Sequence, residues 1–433
     1  MTPQSNFMIV AAIDPRREAD LRTLLAGMNK EPGVVDPANS VVPFQELHHL
    51  HFARFVILKD RTQDDIAAYG LPPVDYPVYL VFLGDVDGEM EAFLAQIVEK
   101  AAPGLRRIFS HCEGFSPEVD LLEWMKARNI PPATIYVNWV GRTVRQVNED
   151  AVLRQALEKF IQKNSVSIHA MAPRQAFDNL RRFVDDEQKS GRITLTPERP
   201  TPIAWQIRNI AHLIAVPLLL LLASPLLLLY LPFFLIQLRR REKTDPEIAP
   251  RVDPAHADSL ALLEDHDVTN QFSAVGSLKP GRFRRWTIIF LLWIIDYTAK
   301  HIYNRGRLAR VSTIHFARWV FLDGKKRLLF ASNYDGGLES YMDDFINKVG
   351  FGLNVVFGNG VGYPRTNWLF LDGAKDEQKF KYFLRRHQLP TEVWYSAHPG
   401  LSALDKQKNL LIRRGLERAS MTESEINEWL GLF

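Results

Sequence analysis

The stretch Leu50–Leu58 reads LHFARFVIL, and Ile314–Leu322 reads IHFARWVFL. Both are short and rich in aromatic and β-branched residues, which is the composition of a strand. A second block follows each: LVFLGDVDGEMEAFLAQI at Leu80–Ile97 and LLFASNYDGGLESYMDDFI at Leu328–Ile346. Aligned, they set Phe82 against Phe330, Asp87 against Asp335, Gly88 against Gly336 and Phe93 against Tyr341. Order, residue type and approximate spacing agree, so the chain contains an internal repeat.

Working outward, each copy reads as strand, strand, helix, strand. The DG pairs supply turns. Met90, Phe93, Leu94, Ile97 and Val98 then recur at helical spacing, as do Leu338, Tyr341, Met342, Phe345 and Ile346. Arg106–Cys112 and Leu353–Gly358 are predicted to close the copies as strands. Before the first copy come a strand at Phe7–Ile13 and a helix at Pro15–Asn29. Before the second come a strand at Thr134–Val140 and a helix near Val144–Gln162. Each unit is then β-α-β-β-α-β, the ferredoxin-like pattern. The expected fold is α+β: two fused ferredoxin-like modules whose sheets face each other as a pseudo-dimeric α/β sandwich or barrel. Module 1 covers residues 1–130. Module 2 is split, 131–164 plus 311–365, around an insertion at 165–310. Residues 366–433 start the pattern again (Trp368–Leu371, Gln378–His387, Val393–Ser396) and end in a helix with a Thr422–Glu425 capping box. The arrangement resembles the dimeric α/β-barrel superfamily, in which paired ferredoxin-like sheets enclose a pocket.

The insertion carries LIAVPLLLLLASPLLLLYLPFFLIQL, from Leu213 to Leu238. About 20 apolar residues suffice to cross a bilayer. Strands on both sides of the insertion share one module, so they lie on one side of any membrane. The run is therefore predicted to turn back at Pro225 as a re-entrant hairpin, with a single true span as the alternative. A shorter apolar run at 286–298, opening at Trp286, reads as an interfacial helix, and 244–279 as a flexible linker. Arg208 precedes the long run; Arg239, Arg240, Arg241 and Lys243 follow it. This bias predicts a membrane protein with its soluble modules on the cytoplasmic side, meeting anionic headgroups. The net charge of +3 gives no case for nucleic acid. Cys112 is the one cysteine, which excludes an internal disulfide. The N-terminus lacks a signal-peptide pattern.

The repeated polar residues are the candidate site. His51 and Arg54 lie three apart on a strand and are predicted to face opposite ways, as are His315 and Arg318. Arg54 and Arg318, among apolar neighbours, need a carboxylate or an anionic ligand. His51 and His315 are candidate ligand contacts or hydrogen-bonding groups; the cluster with His48 and His49 leaves metal or haem open. Asp87 and Asp335 are helix caps or catalytic acids. Trp394, Tyr395, His398 and Tyr363-Pro364 are pocket-lining or core residues. Nucleotide-binding, GxSxG and HExxH signatures are missing. Gly84-Asp85-Val86-Asp87-Gly88 resembles the GxxDG motif of dye-decolourising peroxidases, haem enzymes built from two ferredoxin-like halves. That resemblance implies Asp87 on the distal side of a haem, with Arg54 as its helper. The expected function is a membrane-associated protein that binds or acts on a hydrophobic, lipid-like ligand between the modules. Arg54, Arg318, Asp87 and Asp335 would supply the polar contacts. A non-catalytic membrane scaffold and a haem peroxidase-like enzyme are the alternatives, and a homo-oligomer is among the expected partners.

Overall fold

LHFARFVIL and IHFARWVFL each form an interior strand of a four-stranded antiparallel sheet. The computed structural model describes all 433 residues, the side chain of His169 excepted. In chain order the sheet strands are β1 (Gln4–Ala12), β2 (Leu50–Leu58), β3 (Tyr79–Asp87), β4 (Thr134–Val137), β5 (Thr269–Ser277), β6 (Ile314–Leu322), β7 (Arg327–Asp335) and β8 (Thr391–Ser396). The principal helices are α1 (Glu18–Ala26), α2 (Met90–Phe109), α3 (Val144–Lys163), α4 (Pro173–Lys189), α5 (Ile203–Thr244), α6 (Arg282–His301), α7 (Leu338–Phe357), α8 (Glu377–His387), α9 (Ala403–Glu417) and α10 (Glu423–Leu430).

One sheet runs β1-β3-β2-β8 and the other β5-β7-β6-β4. The edge strands are exchanged. The first half of the chain ends its sheet work with β4, which pairs with β6 of the second sheet. The second half ends with β8, which pairs with β2 of the first. The counterpart of β1 is therefore β5 and not the Thr134 strand, because β1 and β5 pair with β3 and β7 in the same way. The Thr134 and Ile314 strands share a sheet as expected, but the far edge of that sheet is β5, which comes from inside the predicted insertion, and α3 packs apart from it. Residues 244–279 are no flexible linker either, since they contain a helix, Pro254–Ala261, and the whole of β5. The predicted Trp368–Leu371 strand is mostly the turn of a small hairpin with arms Thr366–Asn367 and Leu371–Asp372, and β8 extends the first sheet instead of founding a third.

The sheets pack face to face through Met8, Val56, Leu83, Val275, Val320 and Leu329. Their outer faces are covered by helices: α1 and α2 on the first, α6, α7 and α8 on the second. A separate cluster joins α3, α4, α9 and α10 through Leu157, Phe177, Leu180, Ile412 and Trp429. Gly88 and Gly336 turn the chain from strand to helix with φ of 78° and 80°, a region costly for other residues. The predicted closing strands at Arg106–Cys112 and Leu353–Gly358 are instead the second halves of α2 and α7. Both helices kink at the same place, Ala101 and Val349, and then continue.

One helix is long and apolar enough to cross a membrane. α5 runs unbroken for 42 residues through Pro217, Pro225 and Pro232, so the predicted hairpin at Pro225 is not there. A proline removes one hydrogen bond and bends the axis, but it does not by itself reverse a helix. Leu218, Leu222, Leu226 and Leu229 are exposed, while both ends are fastened to the body. Near the start, Arg208 pairs with Glu89 at 3.6 Å and His212 meets His301 at 2.8 Å. At the end, Leu238 is buried, and Glu242 accepts hydrogen bonds from the Trp368 and Leu369 amides. Trp286 lies exposed on α6, which carries the second apolar run.

Candidate functional site

Each sheet has a bulge where its histidine stands, between Leu50 and Phe52 and between Ile314 and Phe316. A bulge breaks strict alternation and re-aims a side chain. His51 and His315 thus join Phe52 and Phe316 at one end of the inter-sheet space. Ring centroids are 5.4 Å apart for His51–Phe316 and for Phe52–His315.

The structure brings each repeated His to its repeated Asp. His51 Nε2 lies 2.9 Å from Asp87 Oδ1, and His315 Nε2 lies 2.6 Å from Asp335 Oδ1. The second oxygen of each Asp accepts the first amide of a helix: Val144 N–H to Asp87 at 2.9 Å, Ala403 N–H to Asp335 at 2.7 Å. The carboxylates are therefore long-range caps of α3 and α9 as well as histidine partners. Each holds an imidazole N–H, which leaves Nδ1 facing the centre of the molecule.

What meets Nδ1 differs between the halves. His51 Nδ1 is 3.0 Å from His398 Nε2, and His398 Nδ1 is 2.8 Å from Asn148 Oδ1. His315 Nδ1 is 3.1 Å from Lys406 Nζ. Backbone register gives the matching positions, since the Ala397 amide donates to His51 O and the Asn138 amide to His315 O, each at 2.9 Å. His398 then corresponds to Trp139. Lys406, fourth residue of α9, corresponds to Val147, fourth residue of α3. The Asp–His pairs are common to both halves, whereas His398 and Lys406 are particular to one.

Lys406 is half-buried with its amine packed inside the fold, and the amine's only hydrogen-bond partner among the described residues is His315. Its ammonium position lies 5.0 Å from the Phe52 ring. Among the described residues no carboxylate comes within ion-pairing distance, and burial pushes its amine down to about 7, against the pull of Asp335 and Asp267. Burial, reinforced by Lys406, also holds His315 and His398 below the ordinary histidine range. A cavity of about 40 Å³ adjoins these groups, bordered by Gln4, Trp139 and Phe316. It has room for one or two waters at most. Gln4 and Trp139 also wall a groove of about 1000 Å³ that runs to α5 and α6 past Trp205, Arg208, Lys300 and Arg305. A further recess of about 1110 Å³ lies at the starts of α2 and α3, beside His48 and His49.

Arg54 and Arg318 lie elsewhere. Arg54 donates across the interface to Phe272 O (2.8 Å), Ser332 O (2.9 Å) and the Asn333 side chain. Arg318 donates back to Phe7 O (2.9 Å), Gly84 O (3.1 Å) and the Asp85 carboxylate. Phe7 pairs with Gly84, and Phe272 with Ser332, so the two clamps are reciprocal. Asn333 relays Asp85 to Arg54 through a 3.1 Å bond. Burial and the nearby Arg318 depress the Arg54 guanidinium to about 9. These arginines bolt sheet to sheet and bond to neither Asp–His pair, which corrects their expected catalytic role. A buried cation must find partners, and backbone carbonyls of the facing sheet were the ones in reach.

The residues around Asp87 do not fit a haem. Both Asp87 oxygens and both His51 nitrogens are engaged, and Arg54, the helper implied by the peroxidase-like motif, is turned into the facing sheet. Compared with known proteins, the chain matches no family model and no curated protein sequence. Lys406 was the residue sequence reasoning missed. Its signal was a lysine on the inward stripe Ala403, Lys406, Leu410, Arg413 of an amphipathic helix.

Proposed function

We propose that the protein is a membrane-associated enzyme that draws an amphiphilic ligand with an anionic or polar head from a bilayer surface and presents it to the Lys406–His315–Asp335 group. The observation that carries this reading is the shared wall. Gln4 and Trp139 separate the buried histidine–lysine cavity from a groove that opens beside the exposed apolar helix. Arg208, Lys300 and Arg305 in that groove suit an anionic head, and Trp205 an acyl chain.

The membrane part rests on α5. A helix that is apolar all round is stable when surrounded by protein or lipid. From Leu218 to Phe233 it is surrounded by neither within the chain. Its length of about 63 Å is twice the hydrocarbon thickness. Both ends are fastened to the folded body, which favours a helix lying along a leaflet over one crossing it. Arg239, Arg240 and Lys243 at its end, with Arg282 and Arg285 on α6, are placed for anionic headgroups. Arg241 lies 5.3 Å from the Phe283 ring and ties α5 to α6. The two halves are read as ferredoxin-like modules that have traded their last strands, supported by the shared element order, bulges and helix kinks.

The test is extraction of full-length protein in mild detergent, followed by mass spectrometry of co-purifying small molecules. One class of amphiphile is expected to be enriched over the bulk membrane extract. The enrichment should fall at least about tenfold in an Arg208→Glu/Lys300→Glu/Arg305→Glu triple variant, because three attractive charges become repulsive. A co-purifying profile identical to bulk lipid in both proteins ends the proposal.

A further inference from the structure

We propose that Lys406 is a catalytic amine that forms an imine with an aldehyde or ketone group carried by the ligand. This rests on the amphiphile reading for the rest of the ligand, but the amine chemistry is argued separately, from three observations. First, Lys406 is a buried amine whose hydrogen-bond partner is a histidine and not a carboxylate. Asp335 fixes the His315 Nε2–H, so Nδ1 is an acceptor aimed at the amine. The arrangement is an Asp–His–nucleophile relay with an amine in the nucleophile's place. Second, the matching position in the other half is Val147, which serves the fold without any charge. Capping and packing at this place need no lysine, and a buried cation there opposes folding. Third, the amine lies against the Phe52 ring and borders the small cavity, on the far side of Gln4 and Trp139 from the ligand groove.

The step balances without any further reagent. The Lys406 Nζ lone pair attacks the carbonyl carbon, a C–N bond forms, and the carbonyl π pair passes to oxygen. His315 Nδ1 takes the proton shed by the nitrogen, and Asp335 stabilises the resulting imidazolium. That proton returns to the alkoxide oxygen to give the neutral carbinolamine, and the second N–H proton follows the same path through His315 to the hydroxyl, which departs as water while C=N closes. Amine plus carbonyl gives imine plus water. Entry requires Gln4 and Trp139 to swing aside, since the present cavity has room for water alone. Gln4 is tied to Arg142 O, and the Trp139 indole N–H is buried without a partner. That unpaired donor is what a polar ligand atom passing the wall would satisfy.

The amine is free to act near neutral pH because of what faces it. His315 on β6, His51 on β2, His398 beyond β8, Arg142 before α3, Asp335 closing β7 and Asp267 before β5 surround it. Arg142 is already neutralised by Asp150, and both histidines nearest the lysine are held uncharged by burial.

The experiment uses detergent-solubilised full-length protein, incubated separately with butanal and with hexadecanal in mixed micelles. Each mixture is reduced with cyanoborohydride, and the alkylated peptides are mapped by mass spectrometry. Lys406 is expected to label first, with a rate that is half-maximal near pH 7, where exposed lysines stay protonated. Hexadecanal should label it at least about tenfold faster than butanal, as burial of the longer chain in the groove predicts. His315→Asn should slow the Lys406 label by about 100-fold while exposed lysines label as before. Lys406→Arg, with unchanged circular dichroism, should lose that label alone. Label spread over exposed lysines with Lys406 unmodified by either aldehyde overturns the imine chemistry. Lys406 labelled equally fast by both aldehydes upholds the amine and overturns the amphiphilic ligand.

Discussion

Lys406 and Val147 hold the same place in α9 and α3, yet one is a cation in waiting and the other a plain hydrocarbon. The folded amine titrates near 7 against an ordinary 10.5. Between those values the unfolded chain carries a proton that the folded chain lacks, so stability rises with pH across that window. Lys406→Met is therefore expected to stabilise the protein by about 2–4 kcal/mol at pH 7, with the gain shrinking toward zero near pH 10.5. Urea unfolding at the two pH values checks this, and a destabilised variant at pH 7 counts against it. A side chain kept where it weakens the fold is one kept for chemistry. The Asp–His pairs were legible because both members recur: Asp87 with His51, Asp335 with His315. Lys406 does not recur, so no repeat could flag it. Strict alternation along β2 also put His51 and Arg54 on opposite faces, and the bulge at Leu50/Phe52 is what that reasoning lacked.

At the scale of the element, composition spoke clearly for β2, β6 and α5 and misled elsewhere. β5 reads TNQFSAVGS and carries few of the aliphatic residues that mark a strand. Three of its buried polar side chains are satisfied one by one: Asn270 by Asp265 and the Gly336 carbonyl, Gln271 by the Leu263 carbonyl, Ser273 by Arg54. The back halves of α2 and α7 misled in the other direction, because their aromatic and β-branched residues suit a strand but continue the helix beyond a kink. For α5, its leucines face away from the body. Leu221, Leu222, Leu228 and Leu229 are each more than two-thirds or close to two-thirds exposed, at 69%, 68%, 67% and 79%. Changing all four to Gln should leave the far-ultraviolet circular dichroism and melting temperature of the detergent-free body unaltered. The same change should abolish flotation with anionic vesicles, since each buried leucine side chain is worth about 2 kcal/mol. Retained flotation would place the membrane contact elsewhere.

For the molecule as a whole, the exchanged strands matter most. A sequence repeat can announce two similar halves, but it cannot say which sheet receives β4 or β8, because both are short edge strands with compatible patterns. Each sheet is thus incomplete without the other half of the chain. Gly191 lies on the exposed stretch after α4, with φ of 74° and open space around it. Fragments 1–190 and 191–433 are expected to aggregate when made alone and to co-purify as one complex when made together. A soluble, cooperatively melting fragment 1–190 would contradict this. The order of synthesis gives the exchange a further meaning. When α5 leaves the ribosome, β2 has no outer neighbour and β4 has nowhere to dock, because β8 and β6 are still untranslated. If α5 meets lipid as proposed, it does so before either sheet closes, and the unfinished strand edges stay open until residue 396 emerges.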